Sequence, residues 1–456
     1  MLKRDDEDNH APYRAALAAI WERSGYDRGF ISDPFAGDDA ARRGLRRTGA
    51  MLDVLGNPHE RVHLIHVAGS KGKGSTTVLT DAILRAAGLR SGRFTSPHLH
   101  SYRERIVVDD QPISEDAFAR LTDEAIAAMH QVEAATPSLG RVTAWELSTA
   151  MALLWFAQRE CAVAVIEVGL GGTLDATNVI DPVVSAITRL DLEHTAILGE
   201  TLPEIASNKA GIIKPGRPSV TVDQSPEALA VIQARAGDVG SDLLIGGRDW
   251  AVEGDEDRFA VTGPWGQVGD LQTSLVGPHQ VENAGLAVAA LRAGFGDDAA
   301  IDDAAIRAGL RDVQFPGRFE RVPDTLGPAI ILDGAHTPVA AEALAAALAR
   351  HLPARHVTFV VGMMRDKHPE PFLRPLLDQA ARWIVAEPDS PRRMLAELLT
   401  EALSGLGQRV EQAPSIGEAI NHARQDSDVV VVTGSLTTVA DARVHLGLGF
   451  PDPSPR

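Results

Sequence analysis

Leu64-Ile65-His66-Val67-Ala68-Gly69-Ser70-Lys71-Gly72-Lys73-Gly74-Ser75-Thr76 decides the fold of this 456-residue chain. A short apolar run closes in glycines, and beyond Ser75 the residues Val78, Leu79, Ala82, Ile83 and Ala86 recur at helical spacing up to Gly88, a helix stop. Strand, glycine-rich turn and helix in that order frame a phosphate-binding loop. The glycines let backbone N–H groups approach phosphate oxygens, and the helix start offers its positive end. Lys73 supplies charge for the outer phosphates and Ser75 a hydroxyl for magnesium. A strict Walker A sequence would carry a glycine where Val67 stands.

Outward from this loop, the buried run Ala162 to Val168 ends in Gly169-Leu170-Gly171-Gly172, and Pro182 to Thr188 reads as a third strand, with helix-like segments between. That alternation predicts a mostly parallel sheet covered on both faces. Tyr13, Leu17, Ile20 and Trp21 predict amphipathic helices before the loop. From about residue 240 to 276, Gly247, Gly254, Gly263, Gly266 and Gly269 break the pattern into short stretches and predict hairpins at the edge of the first domain. Helical periodicity returns over Val281 to Leu291. A second cycle of strands follows at Ile330 to Leu332, Val357 to Val361, Trp383 to Val385 and Val429 to Val432. The expectation is an α/β chain of two domains. Residues 1–312 form an N-terminal P-loop-type ATPase domain with a mostly parallel sheet, and residues 313–456 a smaller C-terminal Rossmann-like α/β domain.

Forty-four Lys and Arg against sixty-two Asp and Glu leave a net charge of −18, which excludes the basic surface that duplex nucleic acid requires. A small anion is still compatible, because a local cluster of donors binds it inside an acidic protein. Cys161, the single cysteine, has no internal disulfide partner and fits a reducing cytoplasm. The charged run from Met1 to Asp8 lacks the apolar core of a secretory signal, and no 18-residue uncharged apolar stretch occurs. Neither export nor a membrane location is expected.

Several further residues are candidates for chemistry. Glu146 opens an apolar helix, where the helix dipole alone would favour an acid. Asp191-Leu192-Glu193-His194 follows the third strand, and ligands gather at the carboxyl ends of parallel strands, so His194 is a candidate magnesium or zinc ligand. Lys209 reads by default as a solvated helix lysine. Taken singly, none of these names a reaction.

Order and spacing add more. His66 to Ser75 is followed by Thr95-Ser96-Pro97-His98-Leu99, Glu104-Arg105-Ile106, Glu167-Val168-Gly169-Leu170-Gly171-Gly172, Leu174-Asp175-Ala176-Thr177-Asn178, His194-Thr195 and Lys209-Ala210-Gly211-Ile212. Gly277-Pro278-His279-Gln280 with Asn283, Pro316-Gly317-Arg318, Leu332-Asp333-Gly334-Ala335-His336, Asp366-Lys367 and Thr433-Gly434-Ser435 complete the series. From about residue 13 to 445 the chain resembles the folylpolyglutamate synthase/dihydrofolate synthase family of the Mur ligase superfamily. The resemblance implies a cytoplasmic, ATP-dependent ligase that phosphorylates a carboxylate of dihydropteroate or a reduced folate. L-Glutamate then attacks the acyl phosphate; a monomer is the family's usual form, and no nucleic acid or membrane takes part.

By the same resemblance, Gly72, Lys73, Gly74 and Ser75 meet the ATP phosphates, and Asn283, Arg318 and Asp333 the nucleotide. Ser96, Glu146 and His194 match magnesium-ligand positions, and Lys209 matches a lysine that becomes a metal ligand when carbamylated. Lys73, Lys209, His194 and Glu146 are the implied catalytic set, and His336 and Ser435 lie where glutamate is expected. Some positions depart from the family pattern. Ser70-Lys71 stands where Thr-Asn is common, Thr173 for an arginine, Glu193 for the aspartate before His194, Asn208 for a glutamate, and His368 for an acid. A Mur-type amino-acid ligase with another acceptor, and a nucleotide-binding regulatory module, are the alternative readings.

Overall fold

In a computed structural model the protein is described over residues 10–24, 38–296, 298–322, 327–353, 356–449 and 451–452. The charged start, and the proline-rich end apart from residues 451 and 452, lie outside the described residues. The quoted stretch forms the centre of the larger sheet. β1 (His63–Ala68) lies between two parallel neighbours, β5 (Val163–Glu167) and β6 (Val184–Ile187). All of β5 and β6 is buried, as strands covered on both faces must be. β2 (Ser91–Phe94) continues in parallel beyond β5, and β7 (Ser219–Thr221) and β8 (Leu243–Ile245) beyond β6. The antiparallel pair β3 (Ile106–Val108) and β4 (Gln111–Pro112) finishes one edge, giving the order β4-β3-β2-β5-β1-β6-β7-β8.

Successive side chains of β1 point to opposite faces. Leu64 joins a core with the helices Ala11–Glu22, Asp38–Val54, Glu115–Ala135 and Ala144–Gln158, whereas Ile65 and Val67 join the one built by Lys73–Ala86, Pro278–Phe295 and Asp303–Arg311. The helix after the loop runs to Ala86, and Gly88 follows in the left-handed region at φ 76°. The glycine-broken stretch forms an antiparallel meander of β9 (Ala251–Asp255), β10 (Arg258–Gly263) and β11 (Gly266–Leu271). Its beginning differs from expectation, because Leu243–Ile245 pairs with β7 and belongs to the main sheet.

A second sheet, built from Glu320 onward, has the order β12-β13-β17-β14-β15-β16. It comprises β12 (Glu320–Val322), β13 (Ala329–Leu332), β14 (Val357–Val361), β15 (Ala380–Val385), β16 (Val410–Gln412) and β17 (Val429–Thr433). Only β12 runs antiparallel to its neighbour, and each face buries its own apolar cluster. Strands that sequence patterning passed over are short or polar. Ser91-Gly92-Arg93-Phe94 is the clearest case: the partly buried Arg93 donates to Asp81 at 2.6 Å, and a Cβ on Gly92 would come within 2.5 Å of the Phe156 ring. No described helix is long and apolar enough to cross a membrane.

His66, in the middle of β1, is fully buried, and its Nε2 lies 2.9 Å from the Thr177 hydroxyl. Thr177 in turn donates to Asp175, so the imidazole donates through Nε2 and leaves Nδ1 bare and without a partner. Burial, with some help from the Lys214 charge, drives the His66 pKa down to about 3. The unfolded chain therefore binds a proton below about pH 6.5 that the folded chain refuses. This residue should cost stability at about 1.4 kcal/mol per pH unit as pH falls from 6.5 towards 3. Denaturant titrations of wild type and His66→Gln across pH 4–8 should show a shallower acid slope in the variant by about one proton; parallel slopes would refute the assignment.

Candidate active site at the carboxyl ends of the strands

The phosphate loop leaves β1 at Gly69 and enters its helix at Lys73. Two glycines are demanded by close approach. A Cβ on Gly69 would lie 1.7 Å from the Thr188 hydroxyl, and one on Gly72, at φ 91°, 2.3 Å from the Asn283 side-chain oxygen. Asn283 is buried on the helix Pro278–Phe295, so the loop is pinned between the end of β6 and that helix. Ser70 and Lys71 donate their N–H groups to the Arg189 carbonyl at 3.0 and 3.1 Å. Lys73 folds back to donate to the Gly69 carbonyl at 3.0 Å, and Lys209 reaches the same oxygen at 2.7 Å from the last turn of the helix Leu202–Ala210. Burial first, and then the Lys73 charge, bring the Lys209 amine down to about 7. It is a buried amine against the phosphate loop rather than a solvated helix lysine. Ser75 is buried in the first turn of the loop helix.

The acid beside this loop is Glu167, at the carboxyl end of β5. Its Oε2 accepts from the Ser96 N–H at 3.0 Å and lies 3.6 Å from where a Cβ on Gly74 would stand. Burial pushes its pKa up to about 7 against the Lys73 charge, the Ser96 N–H, Arg318 and Arg105. Across the loop, Glu193 receives Lys71 on one oxygen and His194 on the other, each at 3.0 Å. Burial opposes ionisation of Glu193, yet His194, Lys73 and Lys71 hold it well below the usual carboxylate range. His194 itself turns the chain in the left-handed region at φ 51°.

Glu146, expected in the metal and catalytic sets, has both carboxylate oxygens engaged within the fold. It is the third residue of the helix Ala144–Gln158, where it closes a capping box with Thr143, and its two oxygens take Arg47 Nη2 at 2.6 Å and Nε at 2.8 Å. The helix start and a buried guanidinium from Asp38–Val54 account for this acid. Its neighbour Trp145 stacks on Phe94 with ring centres 5.0 Å apart and donates to Asp175 at 3.1 Å.

The second sheet contributes from the other side. Arg318 lies over the Phe315 ring, 5.2 Å from its centre, and that ring approaches Gly74. Burial lowers the Arg318 pKa against the charges of Asp333 and Glu167, so this guanidinium faces acids from both sheets. Asp333 accepts from the Phe319 and Ala335 N–H groups at 2.8 and 2.9 Å, and burial raises its pKa. His336 Nδ1 sits 2.8 Å from the Gly334 carbonyl, and Ser435 caps the helix Leu436–His445. The Gly434 N–H donates to the Ala335 carbonyl at 3.0 Å, placing these two turns side by side.

Residues 317–436 match the Mur ligase, glutamate ligase domain. The chain is 35% identical over 408 residues to the folylpolyglutamate synthase of Lacticaseibacillus casei, covering 88% of this chain and 94% of that one. The chain belongs to the folylpolyglutamate synthase/dihydrofolate synthase family. It is also 39% identical over 409 residues to a probable bifunctional folylpolyglutamate synthase/dihydropteroate synthase of Haloferax volcanii; these span 86% of this chain but only 47% of that longer protein. A solved Escherichia coli structure, FolC in complex with DHPP and ADP, superposes with a TM-score of 0.78 at 33% identity, covering 89% of this chain and 93% of that one.

Within this family frame, departures from the common pattern touch one another. Thr173 donates to the Asn208 carbonyl at 2.9 Å, and Lys71 pairs with Glu193. Glu167 has no role assigned by motif or spacing; its signal in the sequence is its place at the carboxyl end of a fully buried strand. The two glutamates should behave differently on neutralisation. Glu146→Gln leaves Arg47 buried without its counter-charge and should cost about 3–5 kcal/mol of stability. Glu167→Gln should keep the melting temperature within a few degrees while nucleotide-dependent activity is lost. Melting curves and phosphate release on both variants check this, and the reverse pattern would restore Glu146 to the site.

Proposed function

We propose that this chain is an ATP-dependent carboxylate–amine ligase that adds L-glutamate to a pterin-bearing acceptor, dihydropteroate or a reduced folate, through an acyl phosphate. The observation that carries this reading is the meeting of the phosphate loop with Glu167, at the end of β5, and Arg318, in the turn that leads into the second sheet. A carboxylate is a poor electrophile, and phosphorylation supplies a leaving group. The transfer depends on positioning and on neutralising charge. In this reading Gly72, Lys73, Gly74 and Ser75 hold the phosphates, while Asn283, Arg318 and Asp333 hold the rest of the nucleotide. Trp145, partly exposed and backed by the buried Phe94, offers an aromatic surface to a flat pterin. His336 and Ser435, on adjacent turns of the second sheet, are the glutamate side. The two sheets correspond to an ATPase domain over residues 1–312 and a ligase domain over 313–456, working as a cytoplasmic monomer.

Among the described residues no three His, Cys, Asp or Glu side chains converge to hold a metal by themselves. That fits magnesium, which takes few protein ligands and completes its shell with phosphate oxygens and water. Ser96, Glu167, His194 and Ser75 would hold it, with Glu167 in the place first given to Glu146. When bound, magnesium neutralises the phosphate charge that would otherwise repel the acceptor carboxylate. Lys209 suits carbamylation, because its depressed pKa keeps much of the amine neutral near pH 7 and only the neutral amine adds to carbon dioxide. Addition of the neutral amine to carbon dioxide releases one proton and leaves an anionic carbamate oxygen as a ligand; counted from the ammonium, two protons leave.

Purified protein with ATP, magnesium, L-glutamate and either dihydropteroate or a reduced folate tests the reading. Phosphate release should require both glutamate and the pterin; release that ignores the acceptor would sink the proposal. Lys73→Ala should abolish ligation with the fold intact. Lys209→Ala should be largely inactive and partly rescued by a short carboxylate such as acetate or formate, and near-normal turnover would remove Lys209 from the site.

A further inference from the structure

Lys71 is a second cation in the phosphate loop, two residues before Lys73. Its backbone is fixed by the hydrogen bond to the Arg189 carbonyl, while its ammonium lies at the loop mouth, 3.0 Å from Glu193. The two side chains are 33% and 23% exposed. A partly hydrated pair of this kind is weakly held. A phosphate oxygen makes a stronger, charge-assisted partner for an ammonium. The Lys71 charge also acts on Lys209 and on His336, which follows β13 of the second sheet. Lys73 and Arg318 lie nearby, so cations gather at this mouth and favour a phosphate there. Both members of the pair depart from the family pattern together. Lysine in place of asparagine adds the charge, and glutamate in place of aspartate adds the methylene that lets the carboxylate meet it.

We propose that Lys71 and Glu193 form an exchangeable pair at the mouth of the phosphate loop. Glu193 holds Lys71 aside in the empty site; an entering nucleoside triphosphate takes Lys71 onto its terminal phosphate and leaves Glu193 to His194 and the magnesium side. Lys71 is thus a phosphate-binding residue and Glu193 its competitor. This rests on the ligase reading above and extends it to a contact particular to this chain.

Calorimetric binding of β,γ-methylene-ATP to wild type, Lys71→Asn, Glu193→Gln and the double variant, with and without magnesium, decides it. Lys71→Asn should weaken binding about tenfold or more, the size of one charge-assisted contact. Glu193→Gln should move the other way without magnesium, tightening binding severalfold because the competitor is gone, and should raise the magnesium concentration needed for half-maximal binding. If the pair were a fixed strut, both variants would weaken binding alike and the double variant would add nothing; that result, or an unchanged Lys71→Asn, overturns the proposal. Melting curves confirm that each variant is folded. Wild type that fails to bind the analogue even with magnesium would refute the ligase reading itself, whereas a binding wild type with variants that move together refutes only this pair.

Discussion

The crowding around Gly69 is the constraint on which the rest of this site depends. The space where a Cβ would sit is filled by the Thr188 hydroxyl, and the Gly69 carbonyl receives both Lys73 and Lys209. One peptide thus ties β1 to the end of β6 and to the helix Leu202–Ala210, and brings two amines to one oxygen. The electrostatics follow from that crowding. Burial, and then the Lys73 charge, depress Lys209, while burial raises Glu167 to about 7 against the pull of the same cation. A cluster so arranged, rich in amines and poor in committed carboxylates, is completed by a polyanion and a divalent cation.

The acids of the chain show why residue type alone does not assign a role. Glu146 and Glu167 are both buried glutamates near the same loops, yet one is neutralised within the fold and the other is not. Arg47 comes from a helix about a hundred residues earlier in the chain. No local pattern around Thr143-Ala144-Trp145-Glu146 announces that partner. Glu167, by contrast, lies where a parallel sheet exposes its carboxyl ends, the position in which such sheets gather ligands.

Cooperation between the two sheets has a similar basis. Arg318 follows the last segment of the first unit and leans on Phe315, which in turn packs towards Gly74. Other ties bind the units at a distance from the chemistry: Glu256, between β9 and β10, takes His351 at 2.7 Å and Arg350 at 3.2 Å, both from the helix Pro338–His351. Charge-bearing contacts of this kind set the approach of the second sheet, and with it the distance between the phosphate loop and the turns carrying His336 and Ser435.

The parallel α/β architecture, the phosphate loop with its helix, the second cycle of strands and the family are legible in the sequence alone, because they are written in local periodicity and in ordered motifs. The sequence also marks Gly72, Lys73, Ser75, Ser96, His194, Lys209 and Arg318 as candidates. Short or polar strands such as Ser91–Phe94 escape it, since the partner of the partly buried Arg93 is Asp81 on the loop helix and not a sequence neighbour. Only the tertiary structure decided which glutamate stands at the loop, that Lys209 is a buried amine, and that Lys71 and Glu193 meet. Each of those facts depends on a charge brought from a distant element, and the energy of a buried charge is set by what surrounds it in space.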